Sequence, residues 1–124
     1  MNSSDDWVKY KNDDYGNVYS YKKVNIDKDG GNYIVQVWDK QVISNKGREK
    51  YIKGMMFSGK QFDKLSEEKT LMELDCKKRR MRTLSFRLYD TDGNVLKSFD
   101  YKESKWWDTN PDLPVEILFK EVCQ

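Results

Sequence analysis

The sequence predicts an α+β domain in which about six strands are followed by one C-terminal helix. Short segments alternating apolar and polar residues recur from Trp7 to Tyr101, each closed by turn-forming residues. The clearest helical stripe comes at the C-terminal end, after the strands, and not between them as parallel βαβ units require. At 124 residues the chain, taken as a single domain over residues 1–124, has room for one modest core.

In order along the chain, Trp7-Val8-Lys9-Tyr10, the turn signal Asp14-Tyr15-Gly16-Asn17 and Val18-Tyr19-Ser20-Tyr21 read as a hairpin. Asp27 to Asn32, with Gly30 and Gly31, breaks the chain before the strand from Tyr33 to Ile43. There Val35 and Val37 share one face while Ile34 and Trp38 share the other, as in a strand that is central or covered on both sides. Ser44 to Ser66 places Tyr51, Ile52, Met55 and Met56 at helical spacing, but Gly47, Gly54 and Gly59 each cost about 1 kcal/mol relative to Ala within a helix. A broken helix or a mobile excursion is expected.

Glu68 to Cys76 reads as a half-buried strand with Met72, Leu74 and Cys76 inward. From Thr83 to Tyr89 the alternation points Leu84, Phe86 and Leu88 inward and Ser85 and Arg87 outward, before Asp90-Thr91-Asp92-Gly93-Asn94 turns the chain into Val95 to Tyr101. Pro111, Asp112 and Pro114 open a helix whose Val115, Leu118, Phe119 and Val122 form an i, i+3, i+4, i+7 stripe. Asp112 stands where it could cap the free amides.

Composition narrows the function classes. Aromatic residues make up 14% of the chain, too many for a disordered one, so the core is built from rings. Lys and Arg total 23 against 21 Asp and Glu, and a net charge of +2 supplies no whole-molecule field toward nucleic acid. No run of about 18 apolar residues is present to span a bilayer, and Met1 to Asp6 does not resemble a signal peptide. With two cysteines and no histidine, a structural zinc site lacks its ligands, so neither metal nor cofactor is expected. Asp90-Thr91-Asp92-Gly93 begins like a calcium loop, but its twelfth position is Tyr101 where a glutamate is needed, leaving a plain hairpin turn.

Cys76 ends an inward-facing strand set and Cys123 lies beside the stripe of the terminal helix, so both can face one core. They read either as a disulfide or as two buried thiols of a reducing compartment.

Asp75-Cys76 with the basic run to Arg82, then Leu84-Ser85, Tyr89-Asp90, Gly93, Trp107, Pro111, Glu116 and Val122-Cys123 together resemble the bacterial surface adhesin protein E family. Trp7, Val18-Tyr19 and Val37-Trp38 are similar to its weaker early pattern. The resemblance implies an antiparallel sheet of about six strands with the C-terminal helix packed on one face and tied by a Cys76–Cys123 disulfide. It implies export to the bacterial envelope, in the periplasm, at the outer membrane surface or beyond the cell, often through a lipid anchor. It also implies binding of host extracellular matrix proteins. The Lys- and Met-rich segment from Ser44 to Ser66 departs from the family pattern, and no lipid-attachment cysteine lies near Asn2.

One charge feature stands out: Lys77, Lys78, Arg79, Arg80 and Arg82, five cations in six residues. Continued strand alternation would put Lys78, Arg80 and Arg82 on one side and Lys77 and Arg79 on the other. The run reads as a patch for a protein or polyanionic surface, since guanidinium groups pair with oxyanions. The reading it favours more is a solvated hairpin end balanced by Asp75, Glu73 and Glu67. Of the pair Trp106-Trp107, Trp107 is expected inside and Trp106 partly outside, where it could serve a partner. An exposed sheet edge could also pair two copies as a homodimer. The expected function is therefore an exported binding module, with a periplasmic structural or regulatory domain as the alternative. Without histidine, catalysis is not expected, and only a cleft lined by paired carboxylates would restore it.

Overall fold

A computed structural model describes residues 7–110 and 113–123. Among the described residues are seven strands and two α-helices: β1 (Val8–Asn12), β2 (Val18–Asp27), β3 (Ile34–Val42), α1 (Asn45–Gly54), β4 (Leu65–Asp75), β5 (Arg80–Asp90), β6 (Val95–Asp100), β7 (Trp107–Asp108) and α2 (Val115–Val122). The strands belong to one antiparallel sheet, in which β1-β2-β3-β4-β5-β6 form a meander and β7 pairs with the start of β5. The expected α+β architecture holds, with β7 added.

Strand register explains the layering. Val37 stands opposite Met72, and Thr70 opposite Phe86, so these side chains share one face. Its apolar residues form two clusters. Val35, Val37, Met72 and Leu74 meet Leu118, Phe119 and Val122 of α2. Phe86, Leu88, Ile43, Phe62 and Leu65 meet Tyr51 and Ile52 of α1. Both helices therefore cover the same face, and the other is left to solvent. The predicted stripe of α2 is the part buried: Leu118, Phe119 and Val122 are 1%, 0% and 1% exposed. Pro114 is the N-cap and supplies no side-chain cap, while Pro111 and Asp112 lie outside the described residues.

The segment after β3 resolves into a true helix. Ser44 caps it, its hydroxyl accepting from the Gly47 amide at 2.8 Å, while Asn17 Oδ1 accepts from the Ser44 amide at 2.8 Å. Gly47 lies against Asn17 so closely that a Cβ would stand 2.5 Å from its Oδ1. The glycine thus meets a packing demand, and Gly54 sits at the helix end where its entropic cost is small. Of the predicted apolar set, Tyr51 and Ile52 pack inward, but Met55 and Met56 are exposed, because the helix ends at Gly54. A 3-10 turn at Lys60–Lys64 buries Phe62, and β4 begins at Leu65, three residues earlier than its alternation suggests.

The alternation of β5 is interrupted. Leu71 pairs with Ser85 and Met72 with Thr83, so Leu84 is a bulge residue and only half-buried. Ser85, expected outward, is buried within the row it shares with Trp38 and Leu71.

Candidate binding surfaces

Cys76 and Cys123 are joined, with their Cα atoms 5.6 Å apart. The bond lies where the β4–β5 turn meets the end of α2, and it positions the basic run. Residues 76–79 form that turn, so strand alternation applies only from Arg80 onward. Asp75 Oδ1 accepts from the amides of Lys77 and Lys78 at 3.2 and 3.0 Å, an Asx-type turn that fixes the tip.

Each of the three arginines has an internal acidic partner. Arg79, at φ 56°, folds back to pair with Glu116 of α2 and stacks its guanidinium 4.5 Å from the Phe119 ring centroid. Arg80 reaches Asp75 at 3.4 Å, and Arg82 Nε donates to Glu73 Oε1 at 2.8 Å. Trp106 packs against both, at 5.3 and 4.6 Å from the Arg80 and Arg82 guanidinium carbons. The balance by Asp75 and Glu73 matches the reading of a neutralised hairpin end, whereas Glu67 instead lies 3.9 Å from Lys40. Lys77 and Lys78 point to solvent. Trp106 is half-buried, partly outside as expected, but Trp107 is 66% exposed instead of inside, because β7 sets it beside Met81 on a two-residue edge. Sequence periodicity could not foresee a strand this short.

A second polar group was not legible in the sequence. Between the two apolar clusters, Tyr10 donates to Asp39 at 2.6 Å, Tyr51 donates to Glu68, and the Thr70 hydroxyl reaches Glu68 at 2.9 Å. Burial pushes the Asp39 carboxyl up to about 6; the Tyr10 hydrogen bond opposes the rise and nearby Glu68 adds to it. Tyr19, whose hydroxyl donates to Asp13 at 3.1 Å, is pushed up to about 12 by burial and by the Asp13 charge. An open cleft of about 550 Å³ lies beside this group, between Glu68, Thr70 and Phe86 on its floor and Tyr101, Glu103 and Trp107 at its wall. It holds two carboxylates, but both oxygens of Glu68 accept hydroxyl hydrogen bonds, so that residue braces α1 to the sheet. The cleft does not present a free carboxylate pair.

No helix among the described residues is long and apolar enough to cross a membrane. No group of three or more acidic, cysteine or histidine side chains among them is placed to hold a metal ion. No curated protein and no solved structure gives a significant match to the chain. The family model described as surface-adhesin protein E matches residues 7–124. With nearly the whole chain covered, and with the sheet, terminal helix and disulfide in place, this protein belongs to the surface-adhesin protein E family.

Proposed function

We propose that the chain is a non-catalytic adhesive module of the bacterial envelope that contacts an extracellular matrix protein through the β4–β5 turn end. The family match over residues 7–124 carries this reading. Export is part of it, because a disulfide between a strand end and a helix end persists in an oxidising compartment.

The turn end supports the choice of surface. Lys77 and Lys78 are exposed on a tip held by Asp75 and the disulfide, and the exposed Trp107 ring lies on the neighbouring edge. A rigid tip offers cations and an aromatic anchor at little ordering cost. The arginines serve as a base for this tip, since Arg79, Arg80 and Arg82 are paired within the chain.

The test is binding of the purified chain to immobilised matrix proteins. Lys77→Glu with Lys78→Glu should weaken binding about tenfold or more with an unchanged melting temperature, since rim charges at an interface act through association. Trp107→Ala should weaken it further. Full retention by both variants would place the contact elsewhere, and failure of the unaltered chain to bind any matrix protein would favour the periplasmic structural alternative. Charge reversal at Arg80 or Arg82 is a poor probe, because it would repel Asp75 or Glu73.

A further inference from the structure

The face of the sheet not covered by helices carries a row of like charges that folding does not explain. Lys9 stands opposite Ser20, Ser20 opposite Lys40, Lys40 opposite Lys69, and Lys69 opposite Arg87. Four cations thus lie in one line across β1 to β5, with neighbouring strands about 4.8 Å apart. Lys22 stands in the next row, opposite Trp38. Like charges directly opposite one another destabilise a sheet. The acids within reach are Glu67, 3.9 Å from Lys40, and the exposed Asp100, 3.4 Å from Arg87. Lys69 and Lys22 have no acidic partner within ion-pair distance among the described residues.

Aromatic rings lie among these cations. The ammonium groups of Lys40, Lys69 and Lys22 stand 4.4, 5.8 and 6.0 Å from the Trp7 ring centroid, and Lys69 also lies 5.1 Å from Tyr89. Arg87 lies 6.0 Å from the Trp38 ring. Trp7, Trp38, Tyr89, Lys22, Lys69 and Arg87 line one open recess of about 470 Å³.

We infer that this recess and its cationic row bind a linear sulfated polysaccharide, the sulfates on the Lys40–Lys69–Arg87 line and sugar rings against Trp7 and Trp38. Lys40, Lys69 and Arg87 stand on successive strands in one register row and so present cations side by side, with donors that suit the repeated oxyanions of a polyanion. Half-buried indoles between them offer flat apolar surface, which a sugar ring can cover without the chain having to order a loop. Single-stranded nucleic acid shares the combination of stacking and charge. It is disfavoured because a member of a surface-adhesin family meets glycans first. A bilayer is disfavoured because Trp7 and Trp38 are half-buried in the recess and do not stand above the cations. The inference rests on family membership and not on the protein contact at the β4–β5 turn, which uses other residues.

Surface plasmon resonance on immobilised heparin oligosaccharide tests it, with fully desulfated heparin, oligo-dT and phosphatidylserine vesicles as competitors. The unaltered chain should bind heparin and be displaced by none of the three. Lys40→Gln with Lys69→Gln should weaken heparin binding about tenfold or more and flatten its salt dependence, with a melting temperature equal to or above that of the unaltered chain. Lys77→Gln with Lys78→Gln should leave heparin binding within about twofold of the original, by the independence of distant sites. Retained affinity in the first variant, or loss in the second, overturns the site. Absence of heparin binding, or equal competition by desulfated heparin, oligo-dT or vesicles, overturns the ligand class. Matrix-protein binding measured on the same variants separates this failure from failure of the adhesive reading.

Discussion

Asp39 shows what a single buried group does to the pH response. Its folded pKa of about 6 lies above its ordinary 3.8, so the fold favours the protonated form. The associated stability is complete below pH 3.8 and is lost as pH rises through 6. At 1.36 kcal/mol per pKa unit the difference is about 3 kcal/mol. Asp39→Asn keeps an acceptor for Tyr10 and removes the charge. It should raise stability at pH 7 by roughly 1–3 kcal/mol and leave it nearly unchanged at pH 4, as read from urea unfolding at the two pH values. A variant equally stabilised at both would refute the assignment. Asp13, Asp90 and Glu116 act with the opposite sign, because their pKa values are lowered and their stabilisation is lost on acidification. Arg79 is the second informative residue. Arg79→Ala removes the partner of Glu116 and the cation over Phe119, and should cost about 1–2 kcal/mol, less than a fully buried pair because the guanidinium is partly solvated. A melting temperature within about 1 °C of the original would contradict that role.

At the scale of elements, α2 is the decisive attachment. Eight residues are too few for a helix to persist alone in water, so its stability comes from the apolar stripe and the bond at its end. Closing a loop with a sequence separation of 47 destabilises the unfolded chain by about 4 kcal/mol. Replacing Cys76 and Cys123 by Ser together should therefore lower unfolding free energy by roughly 2–5 kcal/mol, measurable by guanidinium unfolding. An unaltered midpoint would show that the bond contributes nothing beyond packing. Phe119→Ala, at a position 0% exposed, should cost about 3–5 kcal/mol, with loss of helical circular dichroism ahead of sheet signal if α2 detaches first.

At the scale of the molecule, two apolar clusters lie under two helices on one continuous sheet, joined by the Tyr10–Asp39 and Tyr51–Glu68 bonds. A shared sheet should couple them, so far-UV and near-UV unfolding curves should superimpose as one transition. Two separated transitions would show that the clusters melt independently. The same layering divides the sheet: one face holds the core and the other is open to solvent. The charges follow this division: Arg80 and Arg82 pair with acids beside the turn, while at mid-sheet Lys40 and Arg87 have acidic neighbours and Lys69 has none within ion-pair distance among the described residues.

By itself the sequence determined the strands other than β7, the terminal helix and the turns, because period-two and period-3.6 patterns and turn residues are local properties. It carried Cys76, Cys123 and the spaced set that marks the family. It gave α1 only in part, since Gly47 looks like a helix breaker until Asn17, brought in from the β1–β2 turn, is seen pressed against it. Tertiary structure alone decided what depends on register and on elements distant in the chain. The pairing of Arg79 with Glu116, the exposure of Trp107, and the burial of Asp39 beside Glu68 belong to that class. So does the line from Lys9 to Arg87, whose members are scattered over nearly 80 positions and become neighbours only because each strand fixes its partner's register.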